Sequence, residues 1–75
     1  MYKLDDVVRS RVTAQGMERG RCYVVARVSV RRTAFGGFTA YDLSDEYGNV
    51  VRDVGNGHLV LELVLDAGDD GVVGD

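Results

Sequence analysis

Along residues 21–33 apolar and polar side chains alternate. Cys22, Val24, Ala26, Val28 and Val30 fall on one side, and Arg21, Tyr23, Arg27, Ser29, Arg31 and Thr33 on the other, with Val25 the one apolar intruder on the polar side. A period of two predicts a strand with one buried and one wet face, which would put Cys22, Val24 and Ala26 toward a core. The run exceeds the roughly five or six residues of an ordinary strand, which predicts a strand that bends and serves both sides of a small barrel.

The flanking segments carry weaker patterns of the same kind. Leu4, Val7, Val8 and Val12 lie near helical spacing behind Asp5 and Asp6, where a helix dipole favours acids, so a short N-terminal helix is one expectation. Val8, Ser10, Val12 and Ala14 also alternate, and the valines favour a strand over residues 7–14. Two glycines around Met17 predict a turn over residues 15–20. The quartet Phe35-Gly36-Gly37-Phe38 predicts a tight reversal. A short strand follows over residues 39–43, then a turn over residues 44–49 with Gly48 and Asn49 suited to positive φ, and a partner strand over residues 50–54. Gly55, Asn56, Gly57 and His58 predict another turn. The leucine-rich run over residues 59–65 is too short for a typical helix and follows glycines, so it reads as the fifth strand.

Five strands at short spacing, glycine turns and no long helix predict a mainly β domain over residues 1–66, built as a small antiparallel barrel. Residues 67–75 are mostly glycine and aspartate, and an acidic, disordered tail is expected there. Over residues 20–54 the strand rhythm "VVARVSVRRT", "FGGF", "TAYDL" and "SDEYGNVV" resembles the first three strands of oligonucleotide/oligosaccharide-binding domains. That resemblance implies a ligand, nucleic acid or oligosaccharide, lying across the second and third strands. Members of that family usually carry a helix between the third and fourth strands, where this chain has only residues 55–58. The Src-homology-3-like barrel is the alternative with the same strand count.

Composition narrows the class further. With 45% apolar and 28% charged residues in 75, the chain has the make-up of one folded domain. Its apolar runs are a few residues long, against the roughly 20 that cross a bilayer, and its first residues lack the apolar core of a signal peptide. A cytoplasmic protein without a membrane partner is the resulting expectation. Cys22 is the only cysteine, so neither an intrachain disulfide nor a thiolate zinc site is available. A domain this small without staples has little stability to spare, and homodimer formation is one remedy.

The net charge of −3 conceals a division. Residues 7–34 hold seven arginines (Arg9, Arg11, Arg19, Arg21, Arg27, Arg31, Arg32) against one acid, Glu18. Residues 35–75 hold nine acids against one base, Arg52. Either half is a candidate binding face, and the plainer reading is that basic and acidic strands neutralise each other within the fold.

Tyr23, Arg27 and Arg31 on the wet face of the long strand, with Phe38 and Tyr41 beyond the turn, form the leading candidate site. Rings stack on unpaired bases and guanidinium groups contact phosphates, so these five predict binding of single-stranded nucleic acid. The competing reading makes the aromatics cross-strand pairs and the arginines a solubilising edge. The runner-up function is a small regulator or inhibitor, of the sort encoded by phages and mobile elements. It would bind a larger protein and present Asp42, Asp45, Glu46 and Asp53 as a DNA-like acidic surface. No catalytic constellation is visible. His58 is a lone histidine in a turn, Cys22 has nothing to activate it, and neither Asp5-Asp6 nor Asp69-Asp70 has the spacing of a calcium loop. The glycine pairs fit no phosphate-binding fingerprint. A noncatalytic protein without cofactor or metal is the expectation.

Overall fold

A computed structural model describes residues 1–66, so the predicted acidic tail over residues 67–75 lies outside the described residues. The chain forms five strands and one turn of helix: β1 (Val7–Ser10), β2 (Cys22–Thr33), β3 (Gly36–Ser44), β4 (Val50–Val54), α1 (Gly57–Val60) and β5 (Leu61–Leu65). All neighbouring strands are antiparallel, in one open sheet of order β4-β3-β2-β1-β5. The fold is mainly β, as the alternation predicts.

No helix forms at the N-terminus. The Asp6 carboxylate, 2% exposed, accepts a hydrogen bond from the Lys3 backbone N–H at 2.8 Å and folds residues 3–6 into a turn. Short polar side chains compete in this way with helical hydrogen bonding. The predicted first strand also stops early. Ser10 pairs with the far end of the following loop, its N–H donating to Arg21 O at 3.0 Å and its carbonyl accepting from Gly20 N–H at 2.8 Å. Residues 11–21 then form a long loop that drives Met17 into the core.

The expected orientation of β2 is inverted over its first half. Tyr23 and Val25 are buried at 3% and 0% exposure, whereas Cys22, Val24 and Ala26 are exposed. Both parities are apolar between positions 22 and 26, so alternation alone does not choose a face, and the bulkier Tyr23 with Val25 fills the core. The register explains how both halves of β2 satisfy the pattern. Val25 stands opposite Leu43 and Val28 opposite Tyr41, so three steps on β2 match two on β3. That extra residue is a β-bulge, and it switches which parity faces inward. After the bulge Val28 packs on the core, while Arg27, Ser29 and Arg31 share the outer face with Cys22 and Val24.

The core joins Val8, Met17, Tyr23, Val25, Tyr41, Leu43, Val54 and Leu61. Curling of the sheet brings elements from its two ends together. Tyr2, beside β5, meets Tyr41 on β3 with ring centroids 5.6 Å apart, and its hydroxyl donates to Leu61 O at 3.0 Å. The β1–β2 loop reaches the end of β4 through two bonds, Gln15 Nε2 to Gly55 O at 3.1 Å and Gly55 N–H to Gln15 Oε1 at 3.0 Å. Paired this way, the side chain of Gln15 acts like a strand neighbour for the chain leaving β4.

Candidate binding arm

The sheet places its functional candidates by what it leaves unpaired. On one side, β4 accompanies β3 only as far as the Tyr41–Val54 pair. On the other, β1 accompanies β2 to Val24, and the preceding residues extend that contact to Val25 through the Val25 N–H to Asp6 O bond. Beyond those points the distal half of β2 and residues 36–40 of β3 pair only with each other among the described residues. Arg27 through Thr33 of β2 and Gly36 through Asp42 of β3 are matched residue for residue. The result is a two-stranded ribbon projecting from the body, in a molecule measuring 44 × 28 × 20 Å.

The tip of this arm lies two residues earlier than the sequence predicts. Ala34 and Phe35 make the reversal, and Gly36, at φ 127°, already pairs with Thr33 as the first residue of β3. Thr33 braces the turn: its hydroxyl accepts from Phe35 N–H at 3.2 Å and donates to Gly36 O at 3.0 Å. The Phe35 ring is 100% exposed, Val30 is 63% exposed and Phe38 49% exposed.

Of the five residues proposed for nucleic-acid contact, three come together. Arg27, Arg31 and Phe38 share the outer face, with Arg31 directly opposite Phe38. Tyr23 and Tyr41 are instead core residues at 3% and 4% exposure, which corrects the placement of Tyr23 on the wet face. The Tyr23 hydroxyl accepts from Glu18 N–H at 3.0 Å, and that of Tyr41 from Tyr2 N–H at 3.1 Å. Their rings therefore present no free face for stacking. Sequence reasoning missed Phe35 as a contact residue and Arg32 as its neighbour. The signal was present in a phenylalanine three residues after Arg32 and just before two glycines, which mark a turn but do not say that the ring beside them is left exposed.

The arginines do not gather on one surface. Arg9 bonds Glu62 at 2.9 Å and Arg11 lies 3.8 Å from the same carboxylate. Arg21 contacts Glu18 at 3.0 Å and Asp45 at 3.5 Å, and Arg31 pairs with Asp53 across the outer face. Among the described residues Arg19, Arg27, Arg32 and Arg52 form no ion pair, and Arg27 and Arg32 are on the arm. The ribbon, residues 27–42, contains three arginines and one acid, Asp42 opposite Arg27, so the arm is locally basic on a chain of net charge −3.

Three of the four acids proposed for protein contact are occupied within the fold. Asp45 is buried and organises the β3–β4 turn, accepting from Tyr47 N–H and Asn49 N–H, each at 2.9 Å, and from Asn49 Nδ2 at 3.1 Å. Burial alone would raise its pKa, but these hydrogen bonds and the Arg21 charge outweigh it and hold the carboxyl below its ordinary value. Asp42 accepts from Asp53 N–H at 3.0 Å, and Asp53 carries the Arg31 pair. Glu46 is exposed.

His58 borders a recess of about 410 Å³ between the base of the arm and α1, with Tyr2, Phe38, Thr39, Tyr41 and Asn56. Cys22 is exposed rather than in the core, and does not line that recess. Among the described residues no group of three or more His, Cys, Asp or Glu side chains is placed to hold a metal ion, and no helix is long and apolar enough to cross a membrane. Compared with protein-family models, curated proteins and solved structures, the chain matches none.

Proposed function

We propose that this chain is a noncatalytic binding module that engages nucleic acid through the projecting β2–β3 arm. The observation that carries this reading is the conjunction, on one ribbon, of Arg27, Arg31 and Arg32 with two exposed phenylalanines, against a single acid, Asp42, at its base. Guanidinium groups bind phosphate, aromatic rings contact bases, and a ribbon held away from an acidic body keeps the body's repulsion at a distance. The arm also supplies a reason for its own exposure. A two-stranded ribbon in water gains little from packing, so its residues are free to serve contact rather than the core.

Fluorescence anisotropy with labelled oligonucleotides, titrated across salt concentrations, tests this reading. Three phosphate contacts on duplex DNA predict a slope of log affinity against log salt of about −2.7, and combined Arg27→Ala and Arg31→Ala substitution should bring it to about −0.9. Both arginines are exposed, so the thermal midpoint should hold. Absence of binding at low salt would overturn the reading.

A second reading rests on a different surface. Leu65, Val7, Val24, Ser44 and Val50 are successive cross-strand neighbours, so one nearly apolar row crosses the outer face of all five strands. Val24, Val50 and Leu65 are exposed at 38%, 47% and 64%. Such a row suits a protein partner or a second copy of this chain. Light scattering of the purified protein at rising concentration, with Val24→Asp as the interface variant, distinguishes a dimer from a monomer.

As to architecture, we read the curled sheet as a partly closed barrel of the Src-homology-3-like kind. Three features support this: β5 beside β1, a single helical turn leading into β5, and a Gln15 bridge near the end of β4. Between β4 and β5, where an oligonucleotide/oligosaccharide-binding domain would carry its helix, this chain has only the single turn α1.

A further inference from the structure

The arm distributes its chemistry in a way that selects the form of nucleic acid, an inference that rests on the reading just given. Arg31 and Arg32 are consecutive on a strand, so their side chains leave opposite faces of the ribbon. Arg31 stands on the outer face opposite Phe38, and Arg32 on the other face opposite Gly37, where there is no side chain to cover it. A single strand laid on a sheet calls for several rings on one open face. This chain buries Tyr23 and Tyr41 and leaves that face Phe38 alone. Cations on both faces of a thin ribbon instead match a ligand that surrounds the ribbon with phosphate on two sides.

A duplex groove is such a ligand. The major groove, about 12 Å wide, admits a two-stranded ribbon, and strands in a ribbon lie only about 4.8 Å apart. The leading element is then Phe35, wholly exposed at the tip and held by the two Thr33 hydrogen bonds. Proteins that approach from the minor groove insert apolar side chains between base steps and partly unstack them, and an exposed ring delivered to the floor of the major groove can do the same. We propose that the arm enters a groove of double-stranded nucleic acid tip first, with Phe35 wedging a base step and Arg31 and Arg32 contacting the phosphates of opposite walls.

The test uses the full chain with a labelled duplex and the corresponding single strand, and with the same duplex carrying 2-aminopurine as a reporter of unstacking. The wild-type protein should bind duplex at least about tenfold more tightly than single strand and should raise 2-aminopurine fluorescence, because a wedged step is unstacked. Phe35→Ala should abolish the rise and weaken duplex binding about tenfold with the salt slope unchanged, whereas Arg32→Ala should reduce that slope by about 1. Phe35 makes no core contact, so its variant should unfold at the wild-type midpoint. Equal affinity for both forms, or a Phe35→Ala variant that still unstacks the duplex, overturns the wedge while leaving the arm as the binding element. Failure of the wild-type protein to bind either form overturns the functional reading itself.

Discussion

Arg31 stands directly across the β2–β3 ladder from Phe38 and reaches beyond it to pair with Asp53 on β4. One exposed carboxylate therefore holds a guanidinium that the proposed ligand requires. Exposed pairs of this kind contribute about 0–1 kcal/mol, so releasing the arginine should cost the fold little. Asp53→Asn should tighten oligonucleotide binding a fewfold, with the salt slope and the thermal midpoint nearly unchanged. Asn is the suitable replacement because position 53 has φ 57°, a conformation Asn tolerates. Anisotropy titration of the variant against wild type checks this.

Gly57 opens α1 against the ring of Tyr41. A Cβ added there would lie 2.8 Å from Tyr41 Cε2 and 3.4 Å from Tyr2 Cε2, so Gly57→Ala must displace rings that link the two ends of the sheet. Overpacking of this sort costs about 1–3 kcal/mol. Gly55→Ala is the matched control, since its Cβ would meet Phe38 at an ordinary 4.0 Å. Urea denaturation should give a lower midpoint for Gly57→Ala and a near-wild-type midpoint for Gly55→Ala.

Val24 and Val25 test the orientation of β2 directly. Val25 is fully buried and Val24 is 38% exposed. Val25→Ala should destabilise the protein by about 1–3 kcal/mol through lost burial and a residual cavity, and Val24→Ala by about 0.5 kcal/mol or less. Equal effects would show that β2 does not face the core through Val25. Cys22 lies on the same outer side, and a thiol reagent should label it in the native protein without prior unfolding.

Asp45 makes stability depend on acid. Its folded pKa lies below the reference value of 3.8, because hydrogen bonds from Asn49 and Tyr47 and the Arg21 charge outweigh its desolvation. A carboxyl bound more weakly to protons in the folded state contributes stability that is fully present above the unfolded value. That contribution is lost as pH falls through the folded value. Thermal midpoints of wild type should decline below about pH 3.8 more steeply than those of Asp45→Asn, which has no carboxyl to protonate. Parallel curves would remove Asp45 from the account.

The sequence by itself determined that the chain is built of strands and where most turns fall. Alternation through residues 21–33 and the glycines near positions 36, 48 and 57 are local signals, set by side-chain direction and by permitted φ. They do not depend on what packs nearby. Which way β2 faces was decided only by tertiary structure. Cys22, Val24, Tyr23 and Val25 are all apolar, so the choice went to the side chains that fill the core, and the bulge near Ala26 then returned Val28 to the same side. The site was legible to the same degree. Arg27, Arg31 and Phe38 share a face because strand parity and the reversal place them there. Tyr23 and Tyr41 belong to the core because the sheet curls over them. The exposure of Phe35 and Arg32 follows from where β1 and β4 stop. Those endpoints depend on the backbone bonds of Asp5 and Asp6 to Val25 being the last on one side and on the Tyr41–Val54 pair ending the ladder on the other, contacts between residues far apart in the chain that no local pattern encodes.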